Sequence, residues 1–97
     1  MEQNYLKPLL VEKENIGALR FPSCEVLNSL DAISQRKLEI ERAMLLGNRH
    51  KGKSKIVFED DEGVKQVETT IWGFTDKRII LKQEFVIPIH RIYQVII

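Results

Sequence analysis

The side chains able to do chemistry in this chain are few and scattered. Cys24 is the single thiol, and His50 and His90 are the two histidines. A zinc-type site needs three or four Cys, His or carboxylate ligands at short local spacings. Positions 24, 50 and 90 make no such pattern, so no metal and no cofactor is expected. A cysteine–histidine dyad needs a third group to orient the base, and no spacing in the chain supplies one. Cys24 reads as a small semi-buried residue ahead of a helix. Asp60, Asp61 and Glu62 are adjacent carboxylates, and such groups do acid–base work when burial separates their pKa values. These three fall at a turn, just before Gly63, and are expected to be solvated. There is no phosphate-cradling glycine loop and no nucleophile elbow. The chain therefore reads as a non-enzyme without catalytic residues.

The main electrostatic feature is the run RHKGKSK, which contributes Arg49, His50, Lys51, Lys53 and Lys55. Together with Lys77, Arg78, His90 and Arg91 it would make a face for phosphates, each contact adding salt-sensitive affinity. The competing expectation is a solvated linker whose charge the acidic turn nearly cancels. Fifteen Lys and Arg against fourteen Asp and Glu leave a net charge of +1, so no global field draws in nucleic acid. Trp72 is the only tryptophan. Beneath a helix it would be core, which is the expectation; on an open strand face it would stack a base or anchor a partner.

The elements that must position these groups follow from periodicity. Leu30, Ile33, Ile40 and Met44 recur at helical spacing, widened by Leu38 and Leu45, with Arg36, Glu39 and Arg42 on the other sides. Asn28 or Ser29 can cap, Asp31 suits the first turn, and Gly47-Asn48 supplies a stop, which predicts a helix over 29–46. After the linker the chain reads as β-structure: 55–59, a turn at 60–63 with Gly63 at positive φ, and a long strand 64–74 that alternates Val67, Thr69 and Ile71 against Glu68, Thr70 and Trp72. Gly73 is the expected bend. Strands 78–82, 85–89 and 93–97 follow, the last two joined by almost nothing. Residues 1–28 form an arm, partly ordered, in which Ile16–Phe21 is a short strand or extended segment and Pro8 marks an edge or bend. One domain spans 1–97, with the arm at 1–28, the helix at 29–47 and a small barrel at 54–97.

This layout, a helix followed by five short bent antiparallel strands, resembles the Sm-like small β-barrel of the Hfq type, an RNA-chaperone family. The stretch GVKQVETTIWGFTDKRIILKQ is similar to the first Sm motif, with Phe74 at its corner, and IPIHRIYQVII is similar to the second, with His90 and Ile92 at its histidine and isoleucine. The resemblance covers about residues 30–97 and implies an α+β or mainly β fold and RNA as a partner. The chain departs from the family pattern where RNA is touched. Thr75 stands where the family has an aspartate, Lys77 replaces the base-stacking aromatic, and Pro88 and Ile89 replace a tyrosine and a lysine. The TTIW…IPIHRI ending also resembles a group of short bacterial proteins, which brings no function with it. TDKRIIL followed by IPIHRI is similar to the end of PH-like or GRAM-type partial barrels, which need about seven strands and a closing C-terminal helix.

Two functions of different class follow. One is a binding module for RNA or protein that uses the basic linker, Trp72 and the His90–Arg91 edge. The other is a homo-oligomer or accessory subunit that pairs through the apolar terminal strand Tyr93–Ile97. A lone cysteine, the lack of a signal-peptide pattern and the lack of a membrane-spanning apolar run make the expected compartment the cytoplasm, with no membrane partner.

Overall fold

Ser29 opens the one long helix. Its carbonyl accepts the Ile33 N–H as the first intrahelical bond, and its hydroxyl accepts the Ala32 N–H at 3.1 Å, answering one of the otherwise orphaned donors of the first turn. The computed structural model describes residues 7–50 and 52–97, and the side-chain surroundings of all of these but 47–50. The helix, α1, runs Leu30–His50, through the Gly47-Asn48 stop expected from sequence. An interior glycine costs about 1 kcal/mol relative to alanine.

The packed face of α1 is not the leucine stripe. Arg36, Ile40 and Ala43 are buried, whereas Leu30, Leu38 and Leu45 remain 82, 52 and 59 % exposed. The helix is rotated so that Arg36 and Glu39 reach the sheet, for reasons given by the hydrogen bonds described below.

Among the described residues seven strands make two sheets, where five in one bent sheet or closed barrel were expected. In the first sheet β1 (Leu9–Leu10), β2 (Ser54–Glu59), β3 (Val64–Thr69) and β7 (Ile92–Ile96) lie in the order β1-β3-β2-β7. All its pairings are antiparallel except β1 on β3. The second sheet is the antiparallel meander β4 (Ile71–Phe74), β5 (Arg78–Leu81) and β6 (Val86–Pro88). The fold is α+β. The strand count is that of the PH-like layout, but the long helix precedes the sheets here.

The long strand 64–74 is divided at Thr70. Lys65, Val67, Thr69 and Ile71 keep one buried face through the division, but β3 pairs with β2 while β4 pairs with β5. The corner is fixed by Thr70 itself. Its carbonyl accepts the Lys82 N–H at 3.0 Å, and its hydroxyl donates to the Gly52 carbonyl at 3.1 Å. Gly73 lies instead beside a register shift within the β4–β5 pair.

The turn after β2 is not uniformly solvated. Asp61 and Glu62 are exposed, but Asp60 is 2 % exposed. One Asp60 oxygen accepts the N–H groups of Glu62 and Gly63 at 2.9 and 3.1 Å, and the other takes the Lys65 ammonium at 2.6 Å. Gly63 has φ +149, a value that favours glycine.

The arm wraps the first sheet. Val11 N–H donates to the Gln66 carbonyl and Asp61 N–H to the Arg20 carbonyl, both at 2.9 Å. Between them Lys13–Ala18 is a 3-10 turn, not an extended segment, and it buries Ile16 to 2 % exposure in the common core. The rings of Phe21 and Phe58 meet with centroids 5.9 Å apart. Placing Ile16 inward requires this turn, because an extended chain would carry it along the surface.

The turn Lys82–Glu84 between β5 and β6 holds two consecutive non-glycine residues in the left-handed region, Gln83 at φ 66 and Glu84 at φ 68. An L-residue there costs roughly 1–2 kcal/mol. Gln83→Gly should therefore raise stability by about 0.5–1 kcal/mol, the strain relieved less the extra entropy of an unfolded glycine. A higher urea midpoint at unchanged slope is the expected result.

Candidate partner-binding site

The residues singled out in the sequence do not share one face. Arg91 is 5 % exposed, and its Nε and Nη1 are engaged. Its Nε donates to the Glu59 carbonyl at 3.0 Å, and its Nη1 donates to the Cys24 carbonyl at 2.8 Å and approaches Cys24 Sγ at 3.4 Å. Arg91 thus ties the arm to β2 and is not an available cation. Cys24 itself is exposed. Next to this clamp the Tyr93 hydroxyl donates to the Glu59 carboxylate. Burial and then that bond push the tyrosine pKa up to about 12.

His90 is half-buried, with Nε2 3.0 Å from the Pro22 carbonyl, an acceptor that makes this nitrogen the donor. Trp72 is 50 % exposed on β4 and is not core; inward alternation goes to Ile71, and Trp72 takes the opposite face. Lys53 and Lys55 are exposed at the start of β2. The side chains of Arg49 and His50, and all of Lys51, lie outside the described residues.

Lys77, Arg78 and His90 are brought together, on a groove of about 860 Å³ between the arm and the β5–β6 hairpin. Ile16, Leu19, Phe21, Phe85 and Ile89 supply its apolar lining. Its charges balance: Arg36, Lys77 and Arg78 against Glu25, Asp76 and Glu84. Arg36 is 4 % exposed and grips Glu25 bidentately at 2.7 and 2.8 Å. The Arg36 bond holds the Glu25 carboxyl below the usual carboxylate range, against the opposing effect of burial. Arg36 Nε has no partner among the described residues.

One wall of this groove is a strand edge. Phe85, Ile87 and Ile89 direct their backbone groups to β5, as the Leu81 N–H to Phe85 carbonyl and Ile89 N–H to Lys77 carbonyl bonds require. By antiparallel alternation the N–H and C=O of Val86 and the C=O of Pro88 face outward. Val86 and Pro88 both line the groove. The left-handed pair Gln83–Glu84 leads directly into this edge.

The remaining lysines gather elsewhere. Lys53 and Lys55 join Lys13 and Lys82 around a more polar groove of about 450 Å³ that also holds Glu12 and Glu68. Among the described residues no three His, Cys, Asp or Glu side chains converge as a metal site, and no helix is long and apolar enough to cross a membrane.

No family model, curated protein or solved structure matches this chain.

Two features of the site escaped the sequence analysis. The free β6 edge had a signal, Pro88, because proline within a strand is confined to edges and bulges. The Arg36–Glu25 pair had none, since the two residues are eleven apart and lie on different elements.

Acid sensitivity follows from the paired carboxylates. At Asp60 burial pushes the pKa up, but the Lys65 bond and the two N–H donors outweigh it, and the net direction is down. Glu25 is also lowered. A depressed carboxyl pKa gives stability that is complete above the unfolded value, about 4, and is lost as pH falls through the lower folded value. Urea unfolding should therefore show stability falling below pH about 4. Asp60→Asn should cost about 1–3 kcal/mol at neutral pH, because the buried Lys65 ammonium keeps only Glu62, at 3.6 Å, as a charged partner, and should flatten the acid limb.

Proposed function

We propose that this chain is a non-enzymatic protein-interaction module that receives an extended segment of a partner in the groove between the arm and β6. The observation that carries this is the β6 edge, whose outward Val86 N–H and C=O open onto an apolar groove with balanced charge. An added strand would take its affinity from those main-chain groups and its specificity from side chains entering the lining around Phe85 and Ile89. Lys77 and Arg78 at the rim would favour carboxylates flanking the segment. RNA fits this groove less well. Arg91 is occupied, the local charge sums to zero, and the position that resembles the stacking aromatic of Sm-like proteins is Lys77.

A second reading has its own support. Four lysines against two glutamates line the polar groove, and the chain resembles an RNA-binding family. Single-stranded RNA would then run over Lys53, Lys55 and Lys82, with a salt dependence set by the number of phosphates neutralised.

Selection of displayed random peptides on the folded chain separates the two. Val86→Pro removes the outward N–H, and Phe85 already has the extended backbone that a residue before proline needs, φ −70 and ψ 147. Selected peptides should lose about tenfold in affinity on Val86→Pro, the equivalent of one hydrogen bond, and be indifferent to Lys53→Glu with Lys82→Glu. Peptides that ignore Val86→Pro, or no selected peptide at all, would overturn the β6 reading. Binding of an RNA oligonucleotide at low salt that the two lysine changes abolish would favour the second.

A further inference from the structure

The other free edge of the molecule is treated differently. β7 borders the four-stranded sheet and ends in the exposed apolar pair Ile96 and Ile97, at 41 and 57 % exposure. A strand of this composition with open N–H and C=O groups is a template for pairing with another chain. Here α1 packs along β7, and two of its side chains take up outward backbone groups. Glu39 Oε1 accepts the Val95 N–H at 2.8 Å, and Arg36 Nη1 donates to the Ile92 carbonyl at 3.0 Å. One acceptor and one donor are thus presented to a strand edge, as a neighbouring strand would present them. Arg36 is held in place by its bidentate bond to Glu25.

We infer that Glu39 and Arg36 guard the β7 edge, keeping it closed to the β6 edge of a second copy of this chain. The second copy is the relevant occupant because the chain itself carries a complementary free edge. Val86 and Pro88 offer one N–H and two carbonyls on the sheet that β7 does not belong to. Two different edges pairing head to tail would not close on themselves by necessity and would be expected to build chains or rings. The guard also explains why α1 turns Arg36 and Glu39 inward and leaves Leu38 and Leu45 in water. The same packed face carries the apolar Ile40, Ala43 and Met44. This inference rests on the open β6 edge of the proposed function but needs no peptide in its groove.

The test is the mass in solution of the full chain, by light scattering behind a sizing column over a range of concentrations. The native chain should be monomeric throughout. Glu39→Leu removes the acceptor from a half-exposed position and should strengthen self-association by about tenfold or more, the equivalent of at least one released hydrogen bond. Glu39→Gln keeps an acceptor oxygen and should stay monomeric. Adding Val86→Pro to Glu39→Leu should return the monomer, because the partner edge loses its N–H. Should Glu39→Leu fail to fold, Glu39→Ser is read in the same way. A native chain that already associates, or a folded Glu39→Leu chain that remains monomeric, would overturn the guard. Association of Glu39→Leu that survives Val86→Pro would overturn β6 as the edge it is guarded against.

Discussion

A buried guanidinium is costly unless most of its donors are answered, and at Arg36 three parts of the chain answer together, leaving only Nε without a partner among the described residues. Glu25 comes from the arm, Arg36 from the helix and the Ile92 carbonyl from the last strand. Breaking a buried charged pair typically costs about 3–5 kcal/mol, because the remaining charge is left without solvent or partner. The helix packs with Arg36 inward beside Ile40 and Ala43. The arm is held in turn by a second arginine, since Arg91 takes the Cys24 carbonyl one residue before Glu25. Two buried arginines thus do what a longer hydrophobic arm would otherwise have to do.

This arrangement decides which surfaces remain open. α1 packs against β7 and β4, so the helix covers the side of the molecule where an edge of each sheet would otherwise be presented. β1 lies along β3 at the far edge of the first sheet. There the two-residue β1 is the outer strand, whereas the edge that opens onto a groove is β6, bordered by the arm and by a turn with two residues in the left-handed region. Strained turns of this kind cluster where a chain presents something to a partner. An open edge above an apolar groove and a closed edge beneath charged side chains are opposite solutions to the same problem of unpaired backbone, and they are found on one small domain.

Much of the β-structure was legible in the sequence, because period-2 alternation reports burial directly. The shared face of Val67, Thr69 and Ile71, the turn at Gly63 and the short link before the last strand all follow from residue order. The division at Thr70 was not legible. Alternation continues unbroken across it, and only the partner strand changes. The helix was legible as an element, and Ile40 and Met44 of its expected stripe do pack on the core, but Leu30, Leu38 and Leu45 stay exposed while Arg36, whose partners lie eleven and fifty-six residues away, is buried beside them. Asp60 was read as one of three turn carboxylates, and nothing local marked it as the partner of Lys65 across the hairpin. Of the candidate site, Lys77, Arg78 and His90 were named, but the edge that gives them a groove was not. Arg91 was named for a role its burial forbids.

The most direct measurement is amide hydrogen exchange on the native chain, resolved by residue by NMR. With the β7 edge closed by Glu39 and the β6 edge open, the Val95 amide should be protected to nearly the level of the Ile56 and Ile79 core amides, while the Val86 amide should exchange rapidly. A Val95 amide as fast as that of Val86, or a Val86 amide as slow as the core, would contradict a domain with one guarded edge and one open edge.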